Sequence, residues 1–392
     1  MGSSVDKSQP IKVLHLIPTL SSGGAERQLV NLVLNTSKAT VEHIVCVING
    51  ADFFGPTIQE AGIRVIDLKI DGHRPFIKAA TVFNRIVRAE SPDVVHSWLY
   101  DANIISRLSA LPFCRIPLIT SWQLADYDPV GIAGAGWNPT KVFGLKAIDK
   151  ATAMLTRPYF VACSDFVKES YRQHFRYAGS GVETIYNAVD PRAVQHNTAD
   201  SSDLAESLNI PRDAFIFLNV ARLDPQKNQK KLLDAFQKVI ASVPTAYLLL
   251  VGSGGMKKEL VSYAKDLCID TRVMFLGQRK DVGDLLHYSD VFVFPSLFEG
   301  LPVALAEAMY KAKPCIVSRI GVFEEIMIDK VNGILIDPHS VPELYEAMVK
   351  LYQDESLRQG IGDRGYETAV SSFDAATTAK LWEELYSRVA SK

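Results

Sequence analysis

Two glutamates on either side of a helix start form the strongest chemical signal in this chain of 392 residues. In residues 294–310, FPSLFEGLPVALAEAMY, Glu299 lies on a turn and Glu307 on the second turn of a predicted helix, which Pro302 can begin without losing a hydrogen bond. Backbone N–H groups at a helix start lack helical partners and bind anions. The segment predicts an anion site between two carboxylates, which suits a sugar nucleotide; two solvated helix-cap glutamates are the alternative interpretation.

Two cations follow the first predicted strand of the second half of the chain. Residues 220–228, VARLDPQKN, carry Arg222 and Lys227 on a strand-to-helix loop. Arginine binds phosphate oxygens in a forked geometry, and lysine acts as a point charge. The pair predicts a phosphate contact, with two exposed loop cations that bind nothing as the alternative.

Two strand ends in the first half give weaker signals. Gly23 and Gly24 would let a ligand approach the backbone closely, but residues 21–27 lack the third glycine of a dinucleotide-binding motif, and a tight turn is the alternative. His96 ends the predicted strand 93–96, where a neutral imidazole can accept a proton from a hydroxyl. A histidine that only hydrogen-bonds a neighbouring carbonyl is the alternative there.

These four segments follow predicted strands, so the fold must bring them to the edges of sheets. Short apolar runs alternate with helical patterns in both halves, which predicts βαβ units and buried parallel sheets. The polar segment 190–212 is the predicted hinge. We expect an α/β protein with two Rossmann-like, doubly wound domains, 1–190 and 191–372, that face each other across a cleft, and a helix in 373–392 that returns to the first domain. Residues 129–140, rich in glycine and proline, are predicted to lack regular structure.

The order of these motifs resembles that of the GT-B glycosyltransferases in the large retaining group called glycosyltransferase family 4. Five segments match in order: Gly-Gly-Ala-Glu at 23–26, Asn-Ala-Val-Asp at 187–190, the pair Arg222 and Lys227, Val-Gly-Ser-Gly at 251–254 and Glu-x7-Glu at 299–307. The match is most specific in the second half. Trp98 stands where many relatives carry a second histidine, the segment TSWQ at 120–123 lacks another common histidine, and Ala188 replaces a common glycine.

The resemblance implies a nucleoside diphosphate sugar as donor, bound mostly by the second domain. It assigns Arg222 and Lys227 to the diphosphate. It assigns Glu307 to the ribose hydroxyls and Glu299 to the donor sugar near its reacting face. The nucleobase is expected beside residues 277–279, and the first-domain glycine loop is expected to close on the diphosphate or the acceptor. The expected donor-binding residues are Gly23, Gly24, Arg222, Lys227, Gly252, Gly277, Gln278, Arg279, Glu299, Gly300, Leu301, Pro302, Val303 and Glu307. The expected catalytic residues are Glu299, His96, Arg222 and Lys227.

The expected reaction is metal-independent transfer without a cofactor. Cleavage of the bond between sugar and diphosphate adds negative charge to the leaving group, which two cations and a helix start can stabilise. The chain has no Asp-x-Asp metal signature in a suitable place, and no residue is assigned as a glycosyl nucleophile. We expect a UDP-sugar donor and a saccharide or lipid-linked glycan acceptor in surface polysaccharide synthesis.

The charge balance excludes a general nucleic-acid coat, since 42 basic and 44 acidic residues give a formal net charge of −2. Residues 141–176 are locally basic, with seven Lys or Arg against three Asp or Glu, and Trp137, Phe143 and Leu145 lie in or beside them. They predict peripheral contact with an anionic membrane, with a solvated helix face as the alternative.

Cysteine usage, the polar first residues and the lengths of the apolar runs all bear on where the protein is located. The five cysteines, Cys46, Cys114, Cys163, Cys268 and Cys315, have no CxxC spacing and are expected to be buried free thiols. The polar first ten residues do not resemble a signal peptide, and no apolar run reaches the ~18–20 residues that span a bilayer. We expect a cytoplasmic protein, or at most one bound to a membrane face.

Three other functions fit parts of the sequence. A GT-B nucleotide-sugar 2-epimerase would share the fold and the donor but needs an acid and a base at C2. A nicotinamide-dependent oxidoreductase needs a GxGxxG motif that is absent. A non-catalytic scaffold leaves the paired cations and glutamates without a purpose.

Overall fold

The computed structural model describes residues 9–72, 75–111, 116–125, 127, 128, 132, 138–175, 181–195 and 201–391. These residues form two compact domains. The first contains the described residues up to Asp128, from 138 to Ala188 and from Ala375 onward, and the second contains those from Val189 to Asp374.

The first domain is built on a seven-stranded parallel sheet with the order β3-β2-β1-β4-β5-β6-β7. Its strands are β1 Ile11–Ile17, β2 Val41–Val47, β3 Arg64–Asp67, β4 Val94–Trp98, β5 Leu118–Trp122, β6 Tyr159–Ala162 and β7 Val182–Thr184. Its helices include α1 Gly24–Asn35, α2 Gly55–Glu60, α3 Phe76–Glu90, α4 Leu99–Ala110, α5 Pro139–Thr156 and α6 Asp165–His174.

The second domain is built on a six-stranded parallel sheet with the order β10-β9-β8-β11-β12-β13. Its strands are β8 Phe215–Val220, β9 Ala246–Val251, β10 Val273–Gly277, β11 Val291–Phe294, β12 Cys315–Ser318 and β13 Ile334–Ile336. Its helices are α7 Ser201–Ser207, α8 Gln229–Ser242, α9 Lys257–Asp266, α10 Val282–Tyr288, α11 Val303–Tyr310, α12 Gly321–Ile326, α13 Val341–Gln353 and α14 Glu355–Ser372.

A further helix, α15 Ala375–Ala390, packs against α1, β1 and β4 of the first domain. Successive side chains of β1 alternate between two apolar layers, because neighbouring residues of a strand point to opposite faces. Val13 and Ile17 enter the layer that contains Trp382 of α15, and Leu14 enters the other. The first domain therefore includes residues that follow the whole second domain in the sequence.

The predicted fold class is confirmed: both domains are α/β with all-parallel sheets. The chain passes between the domains at Ala188 and Val189, two residues before the predicted boundary at 190. Within the predicted hinge, residues 191–194 form a 3-10 helix and residues 201–207 form α7, both in the second domain, where Leu204 and Ala205 are buried.

Helix α5 was not predicted. It starts at Pro139, inside the segment predicted to be a loop, and Asn138 caps it by accepting a hydrogen bond from the Thr140 backbone N–H at 2.9 Å. Most of that loop lies outside the described residues. No helix in the described part of the chain is long and apolar enough to cross a bilayer.

The cysteine prediction is partly wrong. Cys46, Cys163 and Cys315 are buried free thiols, but Cys268 is exposed. Cys114 lies outside the described residues.

Candidate active site

The loops after β8 and β11 lie side by side at the carboxyl edge of the second sheet. β8 pairs directly with β11, and the ends of parallel neighbours meet at one edge. The backbone N–H of Leu297 donates to the carbonyl of Gln226 at 2.8 Å, and Gln226 Nε2 donates to the carbonyl of Phe298 at 2.7 Å. The two loops therefore hold each other in place.

A buried ion pair joins these loops. Lys227 ends the 3-10 helix Pro225–Lys227 and pairs its Nζ with Oε1 of Glu299. The ammonium lies 5.2 Å from the centre of the Phe294 ring, and the two side chains are only 11% and 6% exposed. Burying both charges carries a desolvation cost that an apolar pair would avoid, so the pair by itself is weak evidence for added stability.

Arg222 lies on the same loop but faces solvent. Its guanidinium bonds to Asp224 at 3.0 Å and to Gln226 Oε1 at 3.3 Å, and its side chain is 61% exposed. An exposed pair of this kind contributes little to stability, so the guanidinium can exchange its carboxylate for phosphate oxygens at low cost. The structure thus brings Arg222, Lys227 and Glu299 into one pair of loops.

Helix α11 begins at Val303, where the sequence predicts it, and its N-cap Pro302 makes no capping bond through its side chain. Glu307 lies on the second turn and is buried, as are Gly300 and Leu301 in the turn before the helix. The two predicted glutamates therefore lie on either side of the start of α11, one on the turn before it and one on its second turn, and both are buried.

Two glycines lie at neighbouring strand ends of this sheet edge, and one of them, Gly252, lies against the loop that carries Arg222. Gly252 has a φ of +137°, and a Cβ at this position would lie 2.0 Å from the carbonyl oxygen of Ala221. Its N–H donates to the carbonyl of Gly277 at 2.8 Å, and Gly277 has a φ of +68°. Because other residues are strained in such conformations, the turn beside the Arg222 loop depends on Gly252, and the end of β10 depends on Gly277.

Gln278 and Arg279 follow β10, which β9 separates from β8 in the sheet. Gln278 is exposed. Arg279 forms a two-point ion pair with Asp281, in which Nε lies 2.8 Å from Oδ1. These residues therefore lie at the same edge of the sheet as the loop that carries Arg222 and Lys227, but β9 separates them from that loop.

A row of polar side chains at the ends of three adjacent strands was missed by the sequence analysis. Asn219 on β8, Ser296 after β11 and Ser318 on β12 are fully buried, and each has a side-chain oxygen without a hydrogen-bond partner. Buried polar atoms are usually paired, so these oxygens mark a place for water or a ligand. The available signal was a polar residue near the end of each apolar run.

A glutamate shapes the glycine loop of the first domain. Gly23 caps α1 and Gly24 is its first residue. Glu26 folds back so closely that a Cβ on Gly23 would lie 2.1 Å from its Oε2. Glu26 also accepts hydrogen bonds from Thr19 Oγ1 at 3.0 Å and Ser21 Oγ at 3.3 Å. Glu26 was missed as well, although the Gly-Gly-Ala-Glu segment contains it.

The structure places His96 differently from the prediction. β4 continues to Trp98, so His96 lies in the middle of the strand and not at its end. Its Nδ1 is hydrogen-bonded to the Tyr386 hydroxyl at 2.8 Å and its Nε2 to Ser121 Oγ at 2.6 Å, and the ring is fully buried. A general acid or base must reach the reacting group. The position of His96 therefore gives no support for a catalytic role.

His96 belongs to a buried cluster with His15, His43 and Trp98. Trp98 Nε1 donates to His15 Nδ1 at 3.2 Å, so His15 carries its proton on Nε2 and donates it to His43 Nδ1 at 2.9 Å. The remaining proton of His43 is on Nε2, which is buried without a partner. Burial lowers the pKa of His43 to about 3 and the pKa of His15 and of His96 well below the usual value, so all three rings are neutral.

The basic segment 141–176 is only partly described. Trp137 and Arg176 lie outside the described residues. Phe143 is exposed on α5, whereas Leu145 is buried, and its carbonyl accepts a hydrogen bond from the Tyr100 hydroxyl at 2.8 Å. Leu145 is therefore a core residue and does not face a membrane.

Two family models match the chain, one for each half. The model of glycosyltransferase family 4 matches residues 22–193, and that of the glycosyl transferases group 1 matches residues 200–368. Together they cover nearly the whole chain, as the order of motifs predicts.

Named relatives are similar over most of their length. An Escherichia coli UDP-Gal:alpha-D-GlcNAc-diphosphoundecaprenol alpha-1,3-galactosyltransferase is 28% identical over 317 residues, which are 78% of this chain and 76% of the relative. A Bacillus anthracis N-acetyl-alpha-D-glucosaminyl L-malate synthase is 24% identical over 334 residues, 84% of each chain.

Solved structures share the fold. Anabaena HepE in complex with UDP and glucose has a TM-score of 0.81 at 22% identity, over 96% of this chain and 100% of HepE. WaaG, a glycosyltransferase involved in lipopolysaccharide biosynthesis, has a TM-score of 0.77 at 15% identity, over 96% of this chain and 99% of WaaG.

Proposed function

The chain belongs to glycosyltransferase family 4, and on that premise we propose that it transfers a sugar, with retention of configuration, from a UDP-sugar to a saccharide or lipid-linked glycan. The name of the E. coli relative contains UDP-Gal and a diphosphoundecaprenol acceptor, and HepE was also solved with UDP-glucose. Two Rhizobium meliloti relatives are named for lipopolysaccharide core biosynthesis. These names support a role in surface glycan synthesis.

The buried pair of Lys227 and Glu299 is the observation that carries the proposal. It joins the loops of two adjacent strands next to the start of α11, so a cation and a carboxylate are held together beside a helix start. A nucleoside diphosphate sugar needs both, because its diphosphate is anionic and its sugar presents hydroxyls that donate hydrogen bonds.

The proposed chemistry depends on stabilising the leaving group. As the bond between the anomeric carbon and the diphosphate oxygen breaks, negative charge grows on the diphosphate. Lys227, Arg222 and the N–H groups at the start of α11 offset that charge, and Glu299 accepts hydrogen bonds from the sugar. Glu299 is not proposed as a nucleophile, because its charge is already paired with Lys227.

Nucleotide binding is tested first, by thermal shift with a panel of nucleotides and nucleotide sugars. A ligand at 100 times its Kd stabilises the folded protein by ~2.7 kcal/mol. We expect a shift with UDP and UDP-sugars that Arg222→Ala and Glu307→Ala each abolish. Arg272→Ala is the matched control, since Arg272 precedes β10 at the opposite edge of the same sheet. If both site variants keep the shift, the donor site is wrong.

Turnover separates transfer from the other reactions. We expect the sugar to appear on an added lipid-linked saccharide with retained configuration, read by NMR of the product, and the rate to be unchanged by EDTA. An epimerised sugar nucleotide formed without any acceptor would overturn the proposal in favour of a 2-epimerase. A rate that EDTA abolishes and a divalent cation restores would overturn metal independence alone.

A further inference from the structure

Helix α5 is apolar on both sides. Its inner side packs into the first domain through Val142, Leu145 and Ala153, which are buried. Its outer side carries Phe143 and Leu155, which are 75% and 69% exposed. A contiguous exposed apolar surface on a folded domain usually marks a contact with protein or lipid. Within the described part of the chain, nothing covers the outer side of α5.

The exposed residues form one continuous surface, which we call the outer face of α5. It consists of Phe143, Ala147, Ile148, Ala151, Met154 and Leu155. These positions recur every three or four residues, so with about 3.6 residues per turn they line one side of the helix. Lys141 and Lys150, both exposed, border the outer face on its two sides, and Arg157 follows the last turn.

A buried network keeps α5 from turning this face inward. Asp149, on the inner side, is ion-paired with Arg107 of α4 and accepts a hydrogen bond from the Tyr127 hydroxyl at 2.6 Å. Arg107 Nη1 also donates to the carbonyl of Asp149 at 3.0 Å. Because breaking a buried ion pair is strongly destabilising, the outer face remains exposed in the folded domain.

We propose that the outer face of α5 docks on an anionic lipid bilayer. Asp149 is the one acidic residue in the sequence of α5, and it is buried, so the outer face presents apolar side chains between cations. Such a face can sink into the boundary between headgroups and acyl chains while its lysines contact anionic headgroups. A second copy of this chain would bring the same cations together, which disfavours self-association.

The inference takes its purpose from the proposed function, since a lipid-linked acceptor is presented at a membrane surface, but its test needs neither donor nor acceptor. The full chain is mixed with vesicles of phosphatidylcholine, with or without phosphatidylglycerol, and the bound fraction is measured by flotation. We expect binding to the anionic vesicles. The double variant Phe143→Gln/Leu155→Gln should weaken that binding roughly tenfold or more, because it removes two large apolar groups from the contact.

Matched variants separate this surface from general stickiness and from charge alone. Ile77→Gln removes an even more exposed apolar residue, 81% exposed on α3, and should bind like the parent. Lys141→Gln/Lys150→Gln should reduce binding to anionic vesicles and leave any binding to neutral ones unchanged.

Three results would overturn the docking surface. These are a parent protein that ignores both kinds of vesicle, a Phe143→Gln/Leu155→Gln variant that floats like the parent, and a parent dimer, seen by light scattering, that this variant dissociates. The thermal shift with UDP is measured on the same variant and should equal that of the parent. A parent protein that shifts with UDP but does not float with vesicles contradicts only the docking surface, and a parent that floats but does not shift contradicts only the donor site.

Discussion

Both domains bury an ion pair, and the surroundings of the two pairs differ. In the first domain, Arg107 and Asp149 connect α4 with α5, and Tyr127 donates a further hydrogen bond to the carboxylate. In the second domain, Lys227 and Glu299 connect two loops at the edge of the sheet. A pair between helices with its hydrogen bonds completed fixes the structure, whereas a pair between loops can exchange its partner for a ligand.

The ends of the central strands differ in the same way. The two sheets share one strand order, with the first strand of each domain between the second and the fourth. In the first domain the fourth strand, β4, ends at Trp98, whose ring stacks on that of His96 in the middle of the strand. In the second domain the residue that follows β11, Ser296, keeps a buried oxygen without a partner. Shared topology therefore does not decide which domain binds the proposed donor; we expect the side chains at the strand ends to decide it.

The largest expected difference between the two domains is the loss of stability in acid. His15, His43 and His96 are buried and neutral, whereas His287 and His339 of the second domain are exposed. Below pH 6.5 the unfolded chain binds protons that the folded first domain does not, so its stability falls from pH 6.5 toward the pKa of His43 at about 3. The slope approaches about 1.4 kcal/mol per pH unit for each ring, about 4 for all three.

Tryptophan fluorescence can follow this loss, because all four tryptophans lie outside residues 189–374. We expect the urea midpoint by fluorescence to fall sharply between pH 7 and pH 5, while circular dichroism retains a later transition from the second domain. Transitions that coincide at both pH values and shift equally would contradict the prediction.

Removing the carboxylate of the first-domain pair should cost stability but not chemistry. Asp149→Ala leaves Arg107 buried and unpaired, which should lower the free energy of unfolding of the first domain by about 3–5 kcal/mol. Glu183→Ala is the control: it breaks an exposed pair with Arg388 and should cost at most about 1 kcal/mol. Equal effects in urea unfolding would show that burial does not distinguish the two pairs.

Removing the second-domain pair should slow the reaction but leave the stability of the protein unchanged. Lys227→Met/Glu299→Gln deletes both charges, so no unpaired charge stays buried and the protein should fold normally. Transfer should slow by about 10²–10³, equivalent to ~2.7–4 kcal/mol of barrier, because the leaving diphosphate loses a cation. A double variant with a kcat within a few-fold of the parent would show that the pair is structural, like its counterpart in the first domain.

The smallest expected effect concerns Gly252, which lies against the loop that carries Arg222 and Lys227. Gly252→Ala would place a Cβ against the Ala221 carbonyl and strain a positive φ, at a cost of about 1–3 kcal/mol. We expect weaker UDP binding by calorimetry, since the displaced loop carries Arg222. Gly255→Ala is the control, because a Cβ there meets open space. Equal UDP affinities in both variants would separate the glycine turn from the donor site.

Much of the second domain could be predicted because each of its strands and helices has a clear local pattern of apolar and turn residues. The predicted alternation of apolar runs with helical patterns appears as strands and helices such as β8, β11, α10 and α11, since short apolar strands between turn residues leave little choice. The grouping of Arg222 with Lys227 and Glu299 also follows from the sequence once β8 and β11 are neighbours. Their roles stay predictions until a ligand is bound.

The misses have physical causes. Helix α5 is apolar on both faces, so it lacks the one-sided period that reveals a surface helix. The end of β4 was placed too early because Trp98 is held in the strand by a hydrogen bond to His15, which is distant in sequence. Glu26 and the residues that carry the unpartnered oxygens at the strand ends are isolated polar residues. An isolated residue adds nothing to a hydrophobic period, so sequence periodicity could not identify them.

Helix α15 has a consequence for synthesis on the ribosome. Trp382, Leu385 and Tyr386 complete an apolar layer of the first domain, yet they are translated after every residue of the second. The nascent N-terminal sheet must therefore wait, with that layer uncovered, while the downstream half emerges and can already close its own core. Contrary to the usual order, the domain that is translated first is the one finished last.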